Sequence, residues 1–209
     1  TITPVSATTY DFPWTFNGVG GTWQILANLT LGSTRAFSLT NGTFDFNSFT
    51  VSGPTSGITI VTGTPSIANT GGGGSLSTAL PFTHTSGTLT LGINVATTST
   101  SGYTFTAGTL ALSGSGAIGS SSGVAANGTF DISGVTTSAS IVTLSGSGTV
   151  TLGGKLLTIT NGSTTFSGAI GGTGGQLTIS GGTETLSASS GYTGATTTVI
   201  TNNIICIST

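Results

Sequence analysis

Residues 139–162 read ASIVTLSGSGTVTLGGKLLTITNG. Ile, Val and Leu alternate there with Ser and Thr, and Gly or Asn interrupts every few positions. Alternation with a period of two marks a strand that buries one face, and Gly, Ser and Asn supply the turns between strands. The same grammar runs outward in both directions: TWQILANLTLG (22–32), RAFSLTNGTFDFNSFTVSG (35–53), GITIVTG (57–63), GTLTLGINVATT (87–98) and GYTFTAGTLALSG (102–114). It continues through GTFDISG (128–134), QLTISGGTETLSAS (176–189) and TTTVITNNIICIS (196–208). No window of a dozen residues keeps apolar positions at i, i+3, i+4 and i+7, because Gly or a β-branched residue breaks each one. The chain is therefore all-β, essentially without helix, and rich in Gly, Thr and Ser. Strands at this spacing fit a β-solenoid or a stacked sheet or sandwich. The scarcity of Lys, Glu and Pro to blunt sheet edges favours stacking, in which another rung or subunit covers each edge.

Of 209 residues, 36 are Gly, only 3% are charged, and the net charge is −2. Ordinary domains carry about 25% charged residues, so hydroxyls and backbone must wet this surface. The 35% hydrophobic content separates it from disordered chains, which are poor in apolar residues and rich in charge. The two cations, Arg35 and Lys155, cannot neutralise a nucleic-acid backbone or bind a membrane surface. No apolar run approaches the roughly 18 residues of a spanning helix. Three Tyr and two Trp are too few for the aromatic girdles of a membrane barrel, so neither nucleic acid nor membrane insertion is expected. The absence of Met points to an excised fragment or to a chain whose secretion signal has been removed, hence to a secreted, extracellular or cell-surface protein. The single Cys206 excludes an internal disulfide, leaving a small buried hydrophobe among isoleucines or an intermolecular bond. GGGGS at 71–75 sets a soft boundary between an N-terminal β region (1–75) and a repeat region (76–209), unless it is a loop on one continuous stack.

NGTFDF at 41–46 returns as NGTFDI at 127–132. The shared pattern predicts Phe44, Phe46, Phe130 and Ile132 inward, with Asp45 and Asp131 outward. Asn-Gly ahead of each phrase predicts a turn that accepts positive φ. Neither copy has the Gly-Gly-x-Gly-x-Asp frame of calcium-binding repeats, so no metal is expected. Nor is catalysis. His84 is the only histidine, expected in a solvated loop or at a strand edge, and no serine sits in a nucleophile-elbow frame. Asp11, Asp45, Asp131 and Glu184 do not form a motivated carboxylate pair. No phosphate loop or CxxC occurs, and no cofactor is implied. With so few ionisable groups, stability is expected to be flat from roughly pH 4 to 9 and indifferent to salt, with His84 the first suspect for any transition. Sequons for N-glycosylation stand at Asn28, Asn41, Asn127 and Asn161. Thr-x-Thr pairs at 88/90, 104/106, 149/151, 158/160 and 183/185 fall at irregular intervals, which argues for ordinary strand threonines rather than an ice-binding face.

Residues 139–198 carry a further signal. Phe166-Ser167-Gly168 with Ile170, Gly172 and Gly174-Gly175 is followed by Leu177-Thr178, Gly181, Thr183 and Thr185-Leu186-Ser187, then Tyr192-Thr193-Gly194. This order resembles the passenger-associated β-strand repeat of bacterial autotransporters, FSGxIxGxGG, LTxxGxGTxTLSG and xxYTGxTT. The resemblance implies a secreted right-handed β-solenoid that presents or extends a surface structure, with no catalytic residues. It departs from the pattern in having no translocator barrel after it and in ending on IICIST. The first 110 residues are more loosely similar to Thr/Gly-rich repeats of bacterial surface and phage appendage proteins.

These readings converge on a secreted structural protein, a homopolymeric subunit of an extracellular filament or surface appendage. The alternatives are a monomeric adhesin passenger that binds a host surface or glycan, a phage fibre segment and an ice-binding solenoid. Ile200, Ile204, Ile205, Cys206 and Ile207 are apolar on both faces of an extended segment, which requires cover on both sides. With the strand-like start around Ile2 and Val5, they are the expected subunit contact, unless the chain's own core covers them.

Overall fold

The computed structural model describes residues 1–5, 8–32, 37–52, 63–68, 86–92 and 102–199 in full, and 58–60, 76–78, 82–84, 97–99 and 205–207 as backbone. The described residues form strands and turns without helix. Each strand pairs in parallel with the strand one coil away. That pairing decides between the two architectures open to the sequence: this is a β-solenoid of about eight coils.

A coil carries strands in three places. The first face holds Thr9–Tyr10, Leu29–Leu31, Val51–Ser52, Leu76–Thr78 and Thr97–Ser99. Farther along, Ser138–Ile141, Leu156–Ile159, Gln176–Ile179 and Thr196–Thr198 take the same place in their coils. The second face begins with the first half of Trp14–Gln24 and of Phe37–Asp45, and the third face with their second halves. Because those two long strands bend around the corner, the second and third faces share one 14-stranded sheet. Coil length starts uneven, at 23 residues from Trp14 to Phe37 and 24 from Ile58 to Phe82. It then settles to 20, from Thr129 to Thr149 to Ala169. The ladders pass residue 75 on the first face, where Leu76 pairs with both Val51 and Thr97.

Alternation places the core. On the third face Leu89, Leu110, Phe130, Val150 and Ile170 stack in one inward column, all buried. Full burial of each such side chain contributes about 1.5–3 kcal/mol. On the second face Phe16, Leu39, Phe105 and Ala126 are buried and share one column, whose backbone register passes through positions 60 and 84. His84 thus lies in Phe82–His84, between Ile58–Ile60 and Tyr103–Phe105, not in a loop or at a sheet edge as the sequence suggested. The ring centroids of Phe16, Phe37 and Phe44 lie 5.1 Å from one another, an aromatic core for the first coils.

Glycine sets the corner between the second and third faces. A Cβ on Gly87 would lie 2.1 Å from the Gly63 carbonyl oxygen, on Gly108 2.4 Å from Gly87, and on Gly128 2.4 Å from Gly108. On Gly148 it would lie 1.9 Å from Gly128, and on Gly168 1.8 Å from Gly148. Only a residue without a side chain permits this approach, which keeps the next residue's N–H on the ladder: Thr88, Thr109, Thr129 and Thr149 donate to the carbonyls of Gly63, Gly87, Gly108 and Gly128 at 2.8–2.9 Å. Positive φ, expected at each Asn-Gly, occurs at Gly42 (82°) but not at Gly128 or Gly162. At those two positions close backbone approach, rather than handedness, explains the glycine.

The repeated phrase is two coils' use of one local solution. Both copies lie on the sheet's third face, four coil steps apart through Thr43, Ser66, Thr90, Ala111 and Asp131. Asp131 therefore shares a column with Thr43, not Asp45, so the copies are offset by two residues. An even offset preserves which side chains face inward, and Phe44, Phe46, Phe130 and Ile132 are all buried.

Candidate functional site

The two aspartates part company. Asp131 is half-buried, and its Oδ1 accepts the N–H of Ser133 at 2.8 Å. Asp45, expected outward, is 2% exposed. Its Oδ1 accepts the N–H of Asn47 at 2.9 Å, while Oδ2 accepts the Gln24 side-chain amide at 2.9 Å. The physical reason is the corner that follows. Asn47 and Ser48 both take positive φ (44° and 72°), folding the backbone over the carboxylate. The alternation is correct for the strand, but the chain leaves the strand at this point.

Glu184 is the functional candidate that sequence reasoning passed over. Another column of the second face holds Trp14 and the buried Phe37, Tyr103, Val124 and Leu144, its backbone register passing through positions 58 and 82. One coil further it meets Thr164, then Glu184 and Ile205. Glu184 is completely buried. Burial pushes its carboxyl up to about 7, against weaker lowering by the Thr164 hydroxyl and the Thr164 and Ser163 backbone groups. A period-two reading of TETL puts Glu184 in phase with Leu186, so the signal was available in the sequence. Among the described residues no three His, Cys, Asp or Glu groups converge as a metal site, and Glu184 has no acidic partner for general acid–base work.

The expected subunit-contact residues divide. Ile2 lies on its own chain, bridged to Ile25, donating to the Gln24 carbonyl at 2.7 Å and accepting from Leu26 at 2.9 Å. Val5 is 66% exposed, and its N–H reaches the Tyr10 hydroxyl at 2.6 Å. Ile205–Ile207, which includes Cys206, adds in parallel to Glu184–Leu186 of the same chain. Ile200 and Ile204 lie outside the described residues.

The outward third face carries an ordered hydroxyl array. Thr88, Thr109, Thr129 and Thr149 form one column in consecutive coils, and Thr90, Ala111, Asp131 and Thr151 form the next. Two of the Thr-x-Thr pairs, 88/90 and 149/151, therefore share the same two columns. The other pairs fall on other faces, 104/106 at Tyr103–Phe105 and 158/160 at Leu156–Ile159, which makes the sequence intervals uneven. Thr43 and Ser66 are hydrogen-bonded at 2.7 Å and flank a shallow groove reaching Thr90, Gly92 and Ser113.

Among the sequons, Asn28 Oδ1 accepts the Thr50 N–H at 2.9 Å, and Asn41 donates to Asn17 Oδ1 at 2.8 Å. Asn127 Oδ1 accepts from Ser147 N at 3.1 Å. Asn127 and Asn161 are exposed. Asn28, Asn41 and Asn127 stitch neighbouring coils through their side chains, a structural role that their sequon context did not suggest. Searches with this chain match no protein family, no characterised protein and no solved structure.

Proposed function

We propose that the chain is a non-catalytic secreted structural β-solenoid, a subunit of an extracellular filament or surface appendage that assembles through β-strand contacts between copies. The observation that carries this reading is the union of a continuous parallel stack with an almost charge-free, hydroxyl-covered exterior. A stack of this kind is a spacer: its length follows the number of coils, and nothing in its surface chemistry favours one small ligand. Apart from the Gln24 carbonyl, which takes the Ile2 N–H, strand Trp14–Gln24 pairs only with Phe37–Asp45 among the described strands, and it contains neither charge nor proline. Such edges accept further strands, and a head-to-tail contact that does not close builds filaments. The likeness of residues 139–198 to autotransporter passenger repeats supports secretion and surface display.

Electron microscopy of the native material tests the proposal. At about 4.8 Å per coil, about eight coils span about 40 Å. Filaments with an axial repeat near that length support it. Isolated rods of one chain length overturn it in favour of a monomeric adhesin that binds a host surface or glycan.

The aligned threonine columns support a second reading, an ice-binding face. Freezing-point hysteresis that disappears in Thr109→Lys or Thr129→Lys would favour it. Absence of hysteresis in the parent protein would remove it.

A further inference from the structure

Among the described residues Glu184 is the carboxyl with no exposed surface at all, and its surroundings indicate which form it takes. Thr164 Oγ1 lies 2.5 Å from the Leu144 carbonyl oxygen and 3.3 Å from each oxygen of the Glu184 carboxyl. A hydroxyl has one proton to give, and the shorter contact takes it. Thr164 Oγ1–H gives chiefly to the Leu144 carbonyl and offers the carboxyl only a weak, longer share. An ionised carboxylate at the same place has that weak share and the backbone groups of Ser163 and Thr164, which together do not offset its loss of water. Buried without a counter-ion, it is strongly disfavoured.

No counter-ion is at hand among the described residues. Cys206 stands in register with Thr185, not Glu184, and Tyr192 belongs to the third-face strand Gly191–Tyr192. Lys155 donates to the Thr136 carbonyl from an exposed turn. The carboxyl's neighbours in its own column are Thr164 and the position of Ile205. The strand Ile205–Ile207 is the ladder neighbour of Glu184–Leu186 on the side away from Thr164.

We propose that Glu184 is a proton-dependent latch on the strand Ile205–Ile207: as a neutral acid it keeps that strand seated, and on ionisation it releases the strand from Glu184–Leu186. Release bares the edge of Glu184–Leu186, whose backbone groups then stand ready for another strand. The latch acts within one chain and stands whether or not copies assemble.

Amide hydrogen exchange on the full chain, corrected for the intrinsic pH dependence of exchange, tests this. Protection at 184–186 and 205–207 should fall at least tenfold as pH rises from about 5.5 to 8.5, while protection at Leu110 and Val150 stays constant. Glu184→Gln keeps the shape and stays uncharged, and should hold both segments protected at every pH. Protection that does not change with pH in the parent protein, or changes equally in the Gln variant, overturns the latch. A carbon-13 titration of the parent protein needs no variant. A Glu184 carboxyl midpoint near 7 supports the proposal, and one near the ordinary 4.5 overturns it.

Discussion

Gln24 and Asp45 face each other across a parallel ladder, and the Gln24 side-chain amide donates to Asp45 Oδ2 at 2.9 Å. The other carboxylate oxygen takes the Asn47 N–H, so one side chain ties the first coil to the second and starts the next corner. Hydrogen bonds to a charged group contribute about 1.5–3 kcal/mol, and a buried donor left unmatched adds its own penalty. Asp45→Ala should therefore cost about 2–3 kcal/mol in urea unfolding. Asp131→Ala, half-buried with one such bond at Ser133, should cost about 1 kcal/mol. Equal costs would mean that the Gln24 contact and the greater burial of Asp45 contribute nothing.

The aromatic core of the early coils makes a second prediction. Phe44 is fully buried, with its ring 5.1 Å from those of Phe16 and Phe37. Phe44→Ala should cost about 3–5 kcal/mol, and Phe130→Ala a similar amount. Costs below about 1 kcal/mol would show that neighbouring side chains collapse into the space.

Glycine content separates into two kinds of position. Gly148→Ala and Gly168→Ala drive a Cβ to within 2 Å of a carbonyl oxygen in the adjacent coil, and the coils must part to admit it. Each should cost about 3 kcal/mol, the upper end for an overpacked site. Gly171→Ala meets nothing within 4 Å and should change stability by under about 0.5 kcal/mol. Thermal melts of the three variants make the comparison in one experiment.

The strands and the inward residues were legible because both depend on period-two alternation within one segment. Phe44, Phe130 and Ile132 needed no knowledge of any other coil. What escaped depends on contacts between coils or on where a strand ends. Asp45 follows the outward phase yet is enclosed by the corner at Asn47–Ser48. The threonine columns were hidden because the Thr-x-Thr pairs lie on different faces and because Ala111 and Asp131 stand between Thr90 and Thr151 in the second column. Sandwich and solenoid share the same alternation, and only parallel pairing separates them. Glu184 is the one omission that local pattern would have caught, because its phase matches Leu186.

Glu184 predicts a sloping pH profile where the sequence led us to expect a flat one. Its carboxyl ionises at about 7 in the folded chain, against 4.5 for the free group. Between those values the folded state holds a proton that the unfolded state has lost. Stability therefore falls as pH rises wherever the folded state binds the extra proton. The full contribution of the neutral acid is present below about pH 4.5. It declines through the interval and is gone above about pH 7, where the profile levels. A gap of about two and a half pKa units corresponds to about 3 kcal/mol at about 1.4 kcal/mol per unit. Because the group is buried, added salt should shift the curve little. Urea midpoints measured from pH 4.5 to 8.5 at low and high salt check both statements. Glu184→Gln should be flat over the same range. A parent protein that gains stability toward pH 8 would show that the carboxyl is already ionised, and stabilised, in the folded core.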